Sequence, residues 1–421
     1  MRAKPRTLAA LTVPNFVITN WLNFAGMYAM AEPHTTSYYA ATANDQTRYP
    51  ALNGTVKADV CVVGGGFSGI ATALSLAEKG RRVVVLEANR IGWGASGRNG
   101  GQCIAGISGE AEIERQLGAA GAKLVRDIRY RGHEIIKERI AKYAIDCDWK
   151  DGWMEAAARP KHMEKIRAYY DERVRDGEGD HHELVEPGQF RDVLDTSLYC
   201  GGIIDRKSGH LHPLNLCLGE ARAAKSLGVE IYEDSAVIEM KGGAKPFART
   251  ARGRVEADSI VLGGDTSHQF ERGRLWGLQF PTGSYIIATE PLSDNLARSI
   301  NPRDLAICDS NIVLDYFRMS GDRRMLFGGR CNYSNRDPHD ITATMKTRLD
   351  EIFPQLSDKK VDYTWAGRIG IVLNRVPAIG RLEPNLYYMQ GYCGHGVNAT
   401  HIAGEIVADA ICGTTERFDL F

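Results

Sequence analysis

ADVCVVGGGFSGIATALSLAEKGRRVVVLEANRIGWGASGRNGGQ, residues Ala58–Gln102, decides how this chain is read. An apolar run, Val60–Val63, has the composition of a parallel strand buried on both faces. Gly64, Gly66 and Gly69 follow in G-x-G-x-x-G spacing. From Ser68 a helical pattern begins, with Ile70, Ala73, Leu74 and Ala77 on one face and Gly80 as its stop. A second apolar run, Val83–Leu86, ends in Glu87. With 45 glycines in 421 residues, chance alone supplies about 0.5 such glycine triplets. The strand before, the helix after and the acid beyond are what make the triplet a βαβ nucleotide site.

Each residue type has a task in such a unit. Gly64 permits the tight turn, Gly66 admits a pyrophosphate close to the backbone, and Gly69 lets helix and strand touch. Free N–H groups at the helix start, on the positive end of its dipole, hold phosphate. Phe67 and Ser68 lie on that first turn. Glu87 and the adjoining Ala88 stand where a ribose is received, which suits NAD or FAD and disfavours the 2′-phosphate of NADP. The unit then runs into GASGRNGGQ, Gly94–Gln102. A second loop of small residues, with Gly94, Ala95, Ser96, Arg98, Asn99, Gly100, Gly101 and Gln102 as candidate contacts, is what an extended flavin nucleotide needs to thread past backbone.

GASGRNGGQ, WAGRIGIVLNRVPAIGR (Trp365–Arg381) and GYCGHGVNATHIAGE (Gly391–Glu405) together resemble the FAD-dependent D-amino-acid oxidase and glycine/sarcosine oxidase family, nearest its γ-glutamylputrescine oxidoreductase branch. The resemblance covers roughly Ser37–Gly413. It implies an α/β fold: a Rossmann-like FAD-binding domain with a parallel sheet, and an α+β substrate domain with a mostly antiparallel sheet. The expected division gives 1–36 as an extension, 37–107, 196–275 and 350–421 as the FAD-binding domain, and 108–195 and 276–349 as the substrate domain. By the same resemblance Val237, Gly264, Gly367 and Arg368 approach the cofactor. Gly394, His395, Gly396, Val397, Asn398 and Thr400 contact the isoalloxazine at a helix start, whose dipole stabilises the negative charge that develops on a ring accepting a hydride.

The activity implied is amine oxidation: a hydride passes from the amine's α-carbon to flavin N5, the imine is hydrolysed to an aldehyde, and O2 is reduced to H2O2. A γ-glutamyl polyamine, or a related primary or secondary amine, is the expected substrate. A D-amino-acid or glycine/sarcosine-type oxidase and a quinone-linked dehydrogenase are the alternatives. Relatives that hold FAD through a cysteine do so in a setting absent around Cys331 and Cys393, so FAD is expected to be non-covalent. Relatives that activate O2 keep a lysine over the flavin, and Pro281–Ile300 contains none, which leaves O2 or another acceptor open.

The remaining chain is less specific. Lys+Arg and Asp+Glu both number 52, so no basic excess points to nucleic acid. Nine cysteines without a C-x-x-C pair give no zinc motif, and Asp180–Glu183 (DHHE) is too contiguous to converge on a metal. Met1–Met30 is basic, then moderately apolar, but Pro14, Asn15, Asn20 and Asn23 interrupt it; it reads as an extension upstream of a start near Met30, on a cytoplasmic enzyme with no membrane contact. Ala120–Tyr143 predicts one long exposed helix, and Pro160–Asp176 another with Arg167, Arg173 and Arg175 on its solvated face. His210 and His212 read as satisfied turn histidines. Leu278–Leu292 and Ile312–Gly329 alternate like long antiparallel strands roofing the flavin. Tyr285, Tyr316 and Arg318 are the polar residues there placed nearest the substrate, Arg318 as a carboxylate clamp. Tyr285, Arg318 and His395 are the candidate catalytic residues.

Overall fold

The computed structural model describes residues 32–268, 270, 274–334 and 336–421, so the expectation for Met1–Met30 lies outside the described residues. β1 (Gly54–Val63) begins with exposed positions and ends in four consecutive buried ones, the profile of a strand entering a covered sheet. α1 (Phe67–Glu78) follows the glycine turn and buries every residue from Phe67 to Leu76. Such a helix, apolar on all sides, is stable only inside the protein. β2 (Val83–Leu86) returns parallel to β1, with Val62 opposite Val85.

The chain then crosses to a second sheet through Gln102–Cys103 and runs through helices Glu110–Leu117, Ala119–Ile128 and Arg131–Tyr143. The expected single exposed helix over Ala120–Tyr143 is therefore two, broken at Arg129–Tyr130. Both are half buried, with Leu124, Val125, Ile128, Ile135, Ile136 and Arg139 inside. Exposed charges on one face had masked the apolar stripe on the other. β3 (Lys150–Ala156), helix Pro160–Arg175 and β4 (Gly202–His210) come next, then α2 (Pro213–Ser226). Arg173 is not on a solvated face: it is buried, with Glu172, Asp176 and Glu178 around its guanidinium. His212 caps α2, its Nδ1 accepting from the Asn215 N–H at 3.1 Å, and His210 lies 2.7 Å from the Asp304 carbonyl.

β5 (Gly253–Leu262) returns to the first sheet and pairs parallel with β1 along its length. β6 (Gln279–Thr289), β7 (Ala306–Asp309), β8 (Tyr316–Met319), β9 (Met325–Asn332) and β10 (Val361–Val372) build the second sheet. Ile312–Gly329 is thus not one long strand but a loop and a hairpin, turning at Ser320–Arg324 where Gly321 and Asp322 interrupt the alternation. β11 (Leu386–Gln390) and α3 (Gly396–Ile411) close the first sheet's layer. Among the described residues the first sheet has eight strands, with Ala378–Glu383, β11, β5, β1, β2 and Glu230–Tyr232 in that order. The second has nine, running β10, β6, β9, β8, β7, β3, β4, Gln102–Cys103.

The α/β class and the mixture of a largely parallel with a largely antiparallel sheet agree with expectation. β4 and β10, however, come from the stretches 196–275 and 350–421 yet pair in the second sheet, so Trp365–Arg368 lies inside a roof strand. A strand's alternation shows that it is a strand, not which sheet receives it. Among the described residues no helix is long and apolar enough to cross a membrane.

Four helices meet on a buried ionic cluster. Glu220 of α2 accepts from Arg139 Nη1 at 2.9 Å and lies 3.1 Å from His401 Nε2 of α3. Arg139 also donates to Ser75 Oγ and the Ala71 carbonyl of α1. Burial by itself raises the Glu220 carboxyl, but His401 and Arg139 outweigh it and hold the group down to about 2. A carboxyl so lowered stabilises the fold fully above the ordinary glutamate value, ~4.3, and loses that contribution as pH falls toward 2. Arg139→Met leaves the carboxylate short of its partner and is expected to cost about 3 kcal/mol in urea unfolding at neutral pH. It should also move the onset of acid unfolding upward; equal acid profiles for variant and wild type would show that the cluster contributes nothing.

Candidate functional site

The two glycine-rich turns, some 330 residues apart, line one cavity of about 1020 Å3. Gly64 has φ of 112°, and a Cβ there would sit 2.9 Å from the Gly263 carbonyl oxygen of the neighbouring strand. A Cβ on Gly69 would fall 1.9 Å from the Gly64 carbonyl oxygen, so only glycine lets α1 start this close to β1. Ser96 Oγ of the second loop accepts from the Phe67 N–H at 2.8 Å, fixing that loop over the start of α1. From the other side the Ser68 hydroxyl donates to Tyr392 Oη at 2.9 Å, tying the front turn to the tail turn.

Glu87 ends β2 at the cavity wall, accepting from the Gly65 and Asn89 N–H groups at 2.6 and 2.8 Å. Burial pushes its carboxyl up despite those bonds. A carboxylate has about four acceptor positions, so these bonds leave capacity for a ribose. Ala88, Val237 and Gly264 stand beside it on the wall. Gly394 has φ of 92°, and a Cβ there would meet nothing within 4 Å: it would project into open space. His395 is the cap residue of α3, and burial lowers its imidazole from the ordinary value, so it is neutral at pH 7. The starts of α1 and α3 therefore both present their positive ends to the same cavity.

The chain thus offers what FAD requires: a phosphate-sized glycine turn at a helix start, an acid for ribose, a groove of small residues and a second helix start for the ring's carbonyl edge. Of the expected contacts, Gly66, Phe67, Ser68, Gly94, Ala95, Ser96, Arg98, Asn99, Gly100, Gln102, Gly367, Arg368, Gly396, Val397 and Thr400 line it too. Gly69, Gly101 and Asn398 do not. Gly69 shapes the turn from behind. Gly101 (φ 70°) lies against the Leu211 carbonyl, and the Asn398 amide donates to the Gly106 carbonyl at 2.6 Å.

Two candidate catalytic residues face elsewhere. Tyr285 is fully buried on the opposite face of the second sheet, and its hydroxyl donates to Asp337 at 2.9 Å. Its neighbour Ser284 lines the cavity instead, because side chains alternate along β6. Arg318 is 2 % exposed and clamps no carboxylate. Its guanidinium donates to the carbonyls of Gly100 (2.9 Å), Met319 (3.1 Å) and Leu211 (2.7 Å) and to Tyr39 Oη (3.2 Å), pinning the roof hairpin to the second glycine loop. Tyr316 does reach the cavity, 3.2 Å from the Ser284 hydroxyl, with its phenol pushed up by burial. Cys308, Cys331, Tyr333, Arg375 and Cys393 complete this end. Arg375 and Cys393 fall within the quoted family stretches, whereas Cys308 and Cys331 carry no motif and only alternation along roof strands signals them.

The FAD dependent oxidoreductase (DAO) family profile matches residues 59–410. The chain is 42% identical over 391 residues to gamma-glutamylputrescine oxidoreductase of Escherichia coli K12, covering 92% of this chain and 91% of that one. It is 40% identical over 412 residues to the probable oxidoreductase OrdL of Haemophilus influenzae, covering 95% and 92%. Among solved structures, glycine oxidase from Bacillus cereus superposes with a TM-score of 0.70 at 21% identity, over 86% of this chain and 97% of that one, a likeness of fold. With a family match across most of its length and a cavity shaped for the cofactor, the chain belongs to the DAO family of FAD-dependent oxidoreductases.

Proposed function

We propose that the protein oxidises the terminal amine of a γ-glutamyl polyamine, or a closely related amine, with FAD bound non-covalently. The observation that carries this reading is the 42% identity to gamma-glutamylputrescine oxidoreductase, which extends over more than nine-tenths of both chains. When bound, the flavin accepts a hydride from carbon bearing an amine, and the imine product hydrolyses to an aldehyde.

The chain's own residues bind, orient and polarise. Backbone N–H groups at the starts of α1 and α3 would receive phosphate and the ring's carbonyl edge without any side chain having to move. Trp365 donates from its indole to the Arg98 carbonyl at 2.9 Å, holding roof strand and glycine loop at a fixed separation. Tyr316 and Ser284 present hydroxyls from the roof, and the neutral imidazole of His395 adds no positive charge to repel an ammonium. Burial raises the thiols of Cys331 and Cys393, so both are protonated at neutral pH and poor nucleophiles.

Two outcomes follow. Acid precipitation of the yellow holoenzyme should leave the flavin in the supernatant; flavin retained in the pellet would mean a covalent link through Cys331 or Cys393. Anaerobic addition of γ-glutamylputrescine should bleach the flavin within a turnover, whereas glycine, sarcosine and D-alanine should not. Bleaching by a free amino acid would replace the proposed substrate with the amino-acid class. Readmitting air and assaying H2O2 then reads out whether O2 is the acceptor.

A further inference from the structure

A second cavity, of about 770 Å3, shares Ile312 with the first and is otherwise lined by different residues. Neighbouring residues divide between the two. Cys308 lines the first and Ser310 the second; Tyr316 the first and Asp315 the second; Cys331 the first and Arg330 the second. Adjacent strand residues point to opposite faces, so the two cavities lie on different sides of the roof strands and adjoin at the loop that carries Ile312.

Its charges are only partly matched. Arg348 donates to Asp315 and to Glu351, each at 2.7 Å, and His162 shares a 2.7 Å hydrogen bond with Ser310. Among the described residues, the side chains of Arg159, Lys165 and Arg330 have no hydrogen-bond or ion-pair partner, although all three line the cavity. Glu155, at the end of β3, likewise has no donor. The neighbouring Asp309 is satisfied by the Asn311 and Asp315 N–H groups and the Asn311 amide. The cavity thus holds three exposed cations without a partner and one carboxyl, Glu155, which burial and the neighbouring Asp309 charge push up in the absence of a cation. That is the complement of a zwitterion.

Resting on the substrate reading above, we propose that the second cavity binds the α-amino-acid head of the substrate, with Arg159, Lys165 and Arg330 receiving its carboxylate and Glu155 its ammonium, while the far amine reaches the cofactor cavity. The span is compatible. The cavities adjoin at Ile312, so a substrate needs only to pass that loop. Eight bonds separate the oxidised carbon of γ-glutamylputrescine from its glutamyl α-carbon, about 10 Å when extended. A free diamine would bring a second ammonium into the field of three cations, so the same cavity selects against unconjugated polyamines.

The test measures binding by calorimetry on holoenzyme, apart from turnover. The probes are N5-butyl-L-glutamine, which has the head but no terminal amine, and N-butylbutanamide, which has the chain but no head. Wild type should bind the first and not the second. The variant Arg159→Gln/Lys165→Gln, altered only at exposed positions, should bind it about tenfold more weakly, as expected for losing two solvent-facing charge contacts. Equal binding of both probes, or an unchanged affinity in the variant, would overturn the head-group site. The substrate reading is judged separately: N5-butyl-L-glutamine binding to a protein that γ-glutamylputrescine fails to bleach keeps the site and removes the oxidation, and bleaching with unchanged variant affinity does the reverse.

Discussion

The close crossing of α1 and α3 is the constraint on which the rest of the structure depends. A Cβ on Gly404 would lie 2.9 Å from the Thr72 N atom and 3.1 Å from the Ala71 carbonyl carbon, so the two helices touch backbone to backbone. That contact sets their starts side by side on one cavity, each with about half a positive charge unneutralised. Two like helix ends pointing at one space repel until something electron-rich occupies it. Burial on all sides, and the Glu220–Arg139–His401 cluster joining the same helices, keep them there regardless. The site is thus pre-organised, and its electrostatic strain is relieved by the phosphate and polarised carbonyl groups of a flavin nucleotide.

The second sheet is held over this cavity by contacts that tie roof to floor. Trp365 reaches down to the Arg98 carbonyl, and Arg318 reaches to Gly100 and Leu211. A buried guanidinium is a costly feature unless its donors are met, and Arg318 places four of its five on acceptors. Its value is positional: one side chain fixes the hairpin, the glycine loop and the turn before α2 at once.

The front βαβ unit and the tail turn were legible because their signals are local. Gly64, Gly66 and Gly69 sit within six residues, flanked by the strand and helix that give them meaning, and Gly394–Gly396 opens a helix that Gly413 ends. What was not legible depends on partners distant in sequence. Tyr285 and Ser284 are adjacent, and a register irregularity between Gly283 and Tyr285 in the pairing with β9 helps decide which faces the cofactor. Tyr316 and Arg318 point the same way along β8, yet one meets the cavity and the other meets Gly100 and Tyr39. Arg173 has the look of a surface residue until the Glu172, Asp176 and Glu178 carboxylates gather around it. In each case the residue type was read correctly and the surroundings could not be.

The same division explains why likeness of fold and likeness of substrate part company here. The cofactor's cradle is made of main-chain N–H groups, which every residue but proline supplies, and of glycines that space requires at Gly64 and Gly69. A chain only 21% identical can therefore keep the architecture, as the glycine oxidase superposition does. In the function proposed above, substrate choice falls instead to side chains on the roof strands and the loop around Ile312, where one substitution changes a charge or a shape. Fold alone thus says little about which amine is oxidised; the site's own side chains have to be read for that.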